Sequence, residues 1–205
     1  MKYQISLVSL VFIVASISCS RRPPSSDQEW GGYGGYFPKM MEREYSLEYA
    51  QPGLGFRGTG RAKMVERYEG EETIAGKKYA RFVRTFSDLP GVESREELLR
   101  ITADGMYAVD PGHREKGEIL SVPFPLTVGQ KWVRHDELGD LNCQLESIED
   151  ISSPAGVYPD CLKITLKRGS DDYEAWEYLA KEIGVVKGGF RSGRDKLDFA
   201  LQRFK

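Results

Sequence analysis

Cysteine and histidine are the scarce residues of this 205-residue chain, with three of the first and two of the second. No CxxC and no HExxH occurs, and His113 (in PGHREKG) and His135 (in VRHDE) stand apart in polar stretches, so the spacing of a metal site is missing. His135, Asp136 and Glu137 are adjacent, and on a strand adjacent side chains point to opposite faces, which keeps them from converging on one ion. There is no G-x-S-x-G to expose a serine nucleophile. Charge of one sign is also lacking. The formal net charge is −2 and the Lys and Arg residues are dispersed, which argues against nucleic acid as a partner. The apolar run at residues 5–17 is shorter than the roughly 20 residues a membrane-spanning helix needs.

That run has a different meaning. Lys2, the apolar stretch and a small-residue segment ending at Cys19 make the three-part layout of a secretory signal. Ser16-Ile17-Ser18-Cys19 resembles a lipobox, although Ser16 stands where an aliphatic residue is usual and the two serines also suit ordinary signal peptidase. The resemblance implies cleavage before Cys19 and attachment of several acyl chains to it, and more than one chain gives stable membrane anchoring. The expected address is the cell envelope, with a secreted or periplasmic soluble form as the alternative. Ser20 and Arg21 follow the cysteine in place of the aspartate associated with inner-membrane retention, which favours the outer membrane.

Residues 1–18 are therefore expected to be a signal peptide and residues 19–37 a tether, the latter rich in Ser, Pro and Gly and without apolar periodicity. Such a tether reaches about 20 to 25 Å. Residues 38–205 are enough for one domain with one core.

Within that domain the pattern is mainly β. Tyr45, Leu47 and Tyr49 alternate with polar neighbours, and so do Leu197, Phe199 and Leu201. Further strand-like runs cover 78–86, 98–102, 141–151, 162–166 and 185–190, separated by turn signals at Ala75-Gly76, Asp104-Gly105, Pro154-Ala155-Gly156 and 181–184. About ten strands joined mainly by hairpins predict an antiparallel sheet. Tyr173, Trp176, Leu179, Ala180 and Ile183 also fit helical spacing, which leaves a helix as the local alternative.

The two halves align loosely in three places. YFPKMMEREYSLEY at Tyr36 matches PFPLTVGQKWVRHD at Pro123, IAGKKYARFVRTF at Ile74 matches PAGVYPDCLKITL at Pro154, and LLRITADGMYAV at Leu98 matches WEYLAKEIGVVK at Trp176. Offsets near 80 to 87 residues point to one β module present twice, at about 38–112 and about 119–205. Asp104-Gly105 then argues that 176–186 is a hairpin too.

The motifs PFPLTVGQKW from Pro123, PAGVYPDCLK from Pro154 and IGVVK from Ile183 resemble the TapB-like family of bacterial envelope proteins, many of them lipoproteins. The likeness covers residues 119–190 well and the first half weakly, where Met40, Met41 and Glu42 replace the expected Leu, Val and Gly. It implies a strongly curved antiparallel sheet, similar to the half-barrels of lipoprotein carriers, and supplies no catalytic residue.

Candidate residues follow. Gly129 and Pro125 mark a turn before Trp132, which is expected to plug the core. With Cys19 assigned to lipid, Cys143 and Cys161 remain as a disulfide candidate in an oxidising compartment, or as two buried thiols. The glycines of Gly53-Leu54-Gly55-Phe56-Arg57-Gly58-Thr59-Gly60 lack the strand-to-helix context of a phosphate loop. Acidic pairs such as Glu96-Glu97 and Asp171-Asp172 are present, but nothing selects one for acid–base work. The expectation is a protein that is not an enzyme and needs no cofactor or metal. It is expected to hold an apolar ligand or lipid on the concave face of its sheet, near Trp132, Trp176, Tyr178 and Phe190, or else to dock an envelope protein.

Overall fold

Alternation and tight turns build the whole molecule. In the computed structural model, which describes residues 34–36, 42–50, 59–89, 92, 94–136, 139–169 and 172–205, twelve strands run in antiparallel order. The first six are β1 (Glu42–Ala50), β2 (Thr59–Ile74), β3 (Lys77–Ser87), β4 (Ser94–Ile101), β5 (Gly105–Val109) and β6 (Glu118–Pro123). The second six are β7 (Lys131–Asp136), β8 (Gly139–Ser153), β9 (Gly156–Arg168), β10 (Glu174–Ala180), β11 (Gly184–Ser192) and β12 (Asp195–Phe204). Only 3-10 turns, and no α-helix, accompany them among the described residues. The signal peptide, Cys19, nearly all of the tether, residues 53–58, Glu137 and Asp171 lie outside the described residues.

The order in the sheet is β6-β5-β4-β3-β2-β1-β12-β11-β10-β9-β8-β7, so each half is a six-stranded meander and the halves join where β1 pairs with β12. The count exceeds the expected ten, and the strand-like runs named above omit even β2, which at 16 residues is the longest strand. The three aligned segment pairs fall on the entries to β1 and β7, on β3 and β9 with the turns before them, and on the β4–β5 and β10–β11 hairpins. Residues 176–186 form the β10–β11 hairpin, so the helical alternative is not adopted. At Ala75-Gly76 both residues have positive φ (48° and 77°), the two-residue turn whose twist suits an antiparallel pair.

Connection length forces the sheet to curl. Laid flat, twelve strands would separate β6 from β7 by about 50 Å. The link between them is seven residues, 124–130, which spans at most about 25 Å. The edges therefore meet, and the Trp132 indole N–H donates to the Ser121 carbonyl at 2.9 Å across the seam. No ladder joins β6 to β7, so the barrel is nearly closed.

Inward side chains fill it. Tyr45, Leu47, Met64, Phe82 and Met106 from the first half and Leu145, Ile164, Leu179, Phe199 and Leu201 from the second belong to one buried cluster. A satellite of Tyr79, Leu98 and Val109 packs outside the barrel core.

Cys143 and Cys161 form no disulfide. The β8–β9 register sets Cys143 opposite Leu166 and Cys161 opposite Glu149, which separates the two by about 20 Å along the strands. The hairpin centre lies at Pro154-Ala155, whereas a bridge would have required Ser152. Both thiols are buried, and burial pushes that of Cys161 up to about 12.

Candidate functional site

Two places concentrate chemistry, one inside the barrel and one outside. The inner one begins with Arg43, which shares the inward period of Tyr45 and Leu47 on β1. Arg43 stands opposite Glu66 on β2, and Glu66 opposite Arg84 on β3, so three charged side chains are neighbours on the inner face. Arg43 Nη2 donates to Glu66, Arg84 Nε donates to the other Glu66 oxygen at 2.7 Å, and Arg84 Nη2 donates to Glu97 at 2.7 Å. Arg43 Nη1 also donates to the Ile183 carbonyl at 3.1 Å, and the Tyr45 hydroxyl to that of Val185 at 3.0 Å, tying the first half to the second. Arg134, Arg168 and Glu177 are buried as well.

The carboxylates of this network titrate apart. Burial pushes Glu66 up, but Arg43 and Arg84 outweigh it and hold the carboxyl below its ordinary range. For Glu97 burial prevails over Arg84 and Arg134, with the Glu66 charge adding to it, and its carboxyl lies above the ordinary range. Pairs split in this way occur in acid–base sites. Here Glu66 is fully buried and Glu97 nearly so, and neither groove described below reaches them. The geometry is that of a buried ionic network.

The outer place lies on the second half. Trp176 and Tyr178 occupy alternate positions of β10, so both project outward while Glu177 and Leu179 point in. Trp176 stands opposite Gly189, and a Cβ there would come within 2.8 Å of Trp176 Cζ2. The missing side chain lets the indole lie against the β11 backbone, as aromatic rings do over glycine in sheets. Arg191 sits over the same ring at 5.2 Å, and Lys163 approaches the Tyr178 ring at 5.9 Å.

These residues line a groove of about 780 Å³ that crosses β8 to β12. Its walls carry the ion pairs Lys163–Glu146 (3.0 Å) and Lys167–Glu174 (2.8 Å), and each hydrogen bond raises the pKa of its lysine. Gln144 and Thr165 add uncharged polar groups. A smaller groove of about 460 Å³, with Glu48, Tyr49, Arg61 and Lys196 in its lining, shares Asp198 with the first.

The four aromatic candidates separate. Trp176 and Tyr178 stand together in the outer groove. Phe190 is instead buried in the core, stacked on Tyr173 with ring centroids 6.1 Å apart. Trp132 is half-buried against the core and also bonds across the seam. The four residues expected to line one concave ligand site therefore do not share a face. His113 bonds Asp110 at 3.0 Å in a loop, and the exposed His135 of β7 bonds Asp140 at 2.7 Å. No cluster of three potential metal ligands occurs among the described residues. Glu96 faces out to Arg81 (2.6 Å) while Glu97 faces in, so that acidic pair is split across the sheet. The buried ionic network was missed by sequence reading. Its signal was the period shared by Arg43, Tyr45 and Leu47.

No family model matches the chain, and no curated protein sequence matches it, so the TapB-like likeness rests on the quoted motifs alone. A solved structure does show its fold. A proposed exported protein with YmcC-like fold from Bacteroides fragilis is similar at a TM-score of 0.50 and 11% identity, over 86% of this chain and 98% of that one. A proposed lipoprotein from Parabacteroides distasonis is similar at a TM-score of 0.48 and 12% identity, over 83% of this chain and 98% of that one.

Proposed function

We propose that this chain is a lipid-anchored, non-enzymatic binding protein of the bacterial cell envelope, and that it binds through the outer groove of its second half. The observation that carries the reading is the open groove that presents Trp176 and Tyr178 together on the outer face of the barrel. A groove with two amphipathic rings and several polar groups is what recognition surfaces use. The address is supported by the signal layout and Cys19, by the TapB-like motifs at 119–190, and by the exported character proposed for the Bacteroides fragilis protein of the same fold. Ser20 and Arg21 support the outer membrane as the site of anchoring.

Two measurements test this. Labelling with a fatty-acid analogue is expected in the wild type and absent in Cys19→Ala, and labelling of the variant sinks the anchor. Native mass spectrometry of the gently extracted protein is expected to give the mass of the acylated chain alone. A retained lipid insensitive to changes at Trp176 would return the binding site to the interior.

A further inference from the structure

The outer groove has a charge balance that selects a ligand class, an inference resting on the reading that this groove binds. Four of its cations are Lys163, Lys167, Lys187 and Arg191, and its acids include Glu146, Glu174 and Asp198. Lys163 is engaged by Glu146, Lys167 by Glu174, and Asp198 by Lys196 at the junction with the smaller groove. Lys187 and Arg191 make no ion pair among the described residues, since Glu174, which stands across the ladder from Arg191, is engaged by Lys167, and both cations are exposed on the outer face of β11 on either side of Gly189. Arg191 is held over the Trp176 indole, which fixes its guanidinium without neutralising it.

We propose that the groove binds an acidic glycan, with sugar faces against Trp176 and Tyr178 and carboxylates at Lys187 and Arg191. Two aromatic rings on alternate residues of one strand are spaced by about 7 Å along a flat surface. They offer apolar faces to the C–H faces of a pyranose, while the polar rims of the rings stay wet. Gln144 and Thr165 supply uncharged partners for hydroxyl groups. Asp198 lines both grooves, so the two adjoin on the outer face, an arrangement that suits a chain molecule better than a compact metabolite. The ion pairs on its walls are unfavourable to a purely apolar occupant, because burying them without replacement hydrogen bonds is costly.

Affinity electrophoresis and calorimetry with the full-length detergent-solubilised protein test the idea, using polygalacturonate, dextran and phosphatidylglycerol vesicles as probes. Polygalacturonate is expected to bind and dextran to bind at least about tenfold more weakly, with the difference shrinking as salt is raised. Trp176→Ala and the double variant Lys187→Glu with Arg191→Glu are each expected to weaken polygalacturonate binding at least about tenfold. The double variant changes only exposed charges and so keeps the fold. Vesicle binding alone, lost in the same variants, overturns the glycan and leaves the groove as the binding surface. Polygalacturonate binding that survives both variants overturns the glycan inference and the groove together. Equal binding of dextran removes the role of Lys187 and Arg191 and overturns the acidic class.

Discussion

At the scale of single residues, the two network carboxylates are expected to behave in opposite ways. Glu66→Gln leaves Arg43 and Arg84 without their shared buried counter-charge, and breaking such a network costs about 3 to 5 kcal/mol. Because the folded Glu66 carboxyl lies below its ordinary 4.5, its contribution is full above that value and is lost as pH falls through the folded pKa. Glu97 has the reverse sign. Its folded pKa is raised, so its contribution is present below 4.5 and lost as pH rises through the folded value, and ionising it in the core opposes folding at neutral pH. Glu97→Gln keeps an acceptor for Arg84 and is expected to cost much less than Glu66→Gln at pH 7. Urea denaturation of the two variants at pH 4 and pH 7 checks both the ranking and the pH trend, and equal losses at pH 7 would refute it. On the outer surface, burial pushes Glu118 up, but hydrogen bonds from Arg100, Lys77 and Tyr79 hold it down at about 2. Glu118→Gln should therefore abolish a stability increment that the wild type loses between about pH 4.5 and pH 2. A wild-type and variant Tm difference that is flat across this range would contradict it. The two thiols make a simpler case. Cys143 and Cys161 are buried and unbridged, so a thiol reagent is expected to count no reactive site among them until denaturant is added, and a reductant to leave Tm unchanged.

At the scale of elements, turn chemistry and close approaches decide what the sequence revealed. Alternation at Tyr45, Leu47 and Tyr49 and the turn residues at Ala75-Gly76 located their strands directly, because one face is apolar and the other charged. The ambiguity at 173–183 arose because β10 carries a buried Glu177 on its inner face and two aromatics on its outer face, which inverts the usual pattern. A buried glutamate reads as a surface residue until its partners are known. The same inversion hid the outer groove: Trp176 and Phe190 look alike in sequence, and only the register, which places Trp176 over Gly189 and Phe190 opposite Ala175 and Leu197, assigns them to different faces. Gly188 provides the test of that register. It faces the interior opposite Phe199, where a Cβ would come within 2.5 Å of Phe199 Cζ and 2.6 Å of the Trp176 carbonyl oxygen. Since one of those neighbours is backbone, Gly188→Ala is expected to destabilise by about 1 to 3 kcal/mol, as overpacking does. An unchanged urea midpoint would show that the β10–β11–β12 register differs from the one described.

At the scale of the molecule, closure is the property least legible in advance, although its cause lies in the chain. An antiparallel sheet followed from hairpin-joined strands and its curvature from the TapB-like resemblance, but the meeting of β6 and β7 depends on which strands become edges, and the β1–β12 pairing that settles this joins residues some 150 positions apart. Once that pairing exists, the seven-residue link at 124–130 brings the edges together and Trp132 holds them through Ser121. Both edges lack a ladder partner at the seam, so their outward backbone groups are protected only by proximity and by this indole bond. Trp132→Phe retains most of the ring packing and removes the donor, a change of about 1 kcal/mol. Because the bond spans the seam and no ladder runs beside it, the loss should appear as local opening rather than as global unfolding. Hydrogen exchange of amides in β6 and β7 is expected to quicken by about fivefold, the equivalent of that free energy. Amides in β1, β2 and β12, far around the barrel, should keep their wild-type rates relative to one another. Uniform acceleration in all five strands would mean that the seam is not a separable unit and that Trp132 supports the core as a whole.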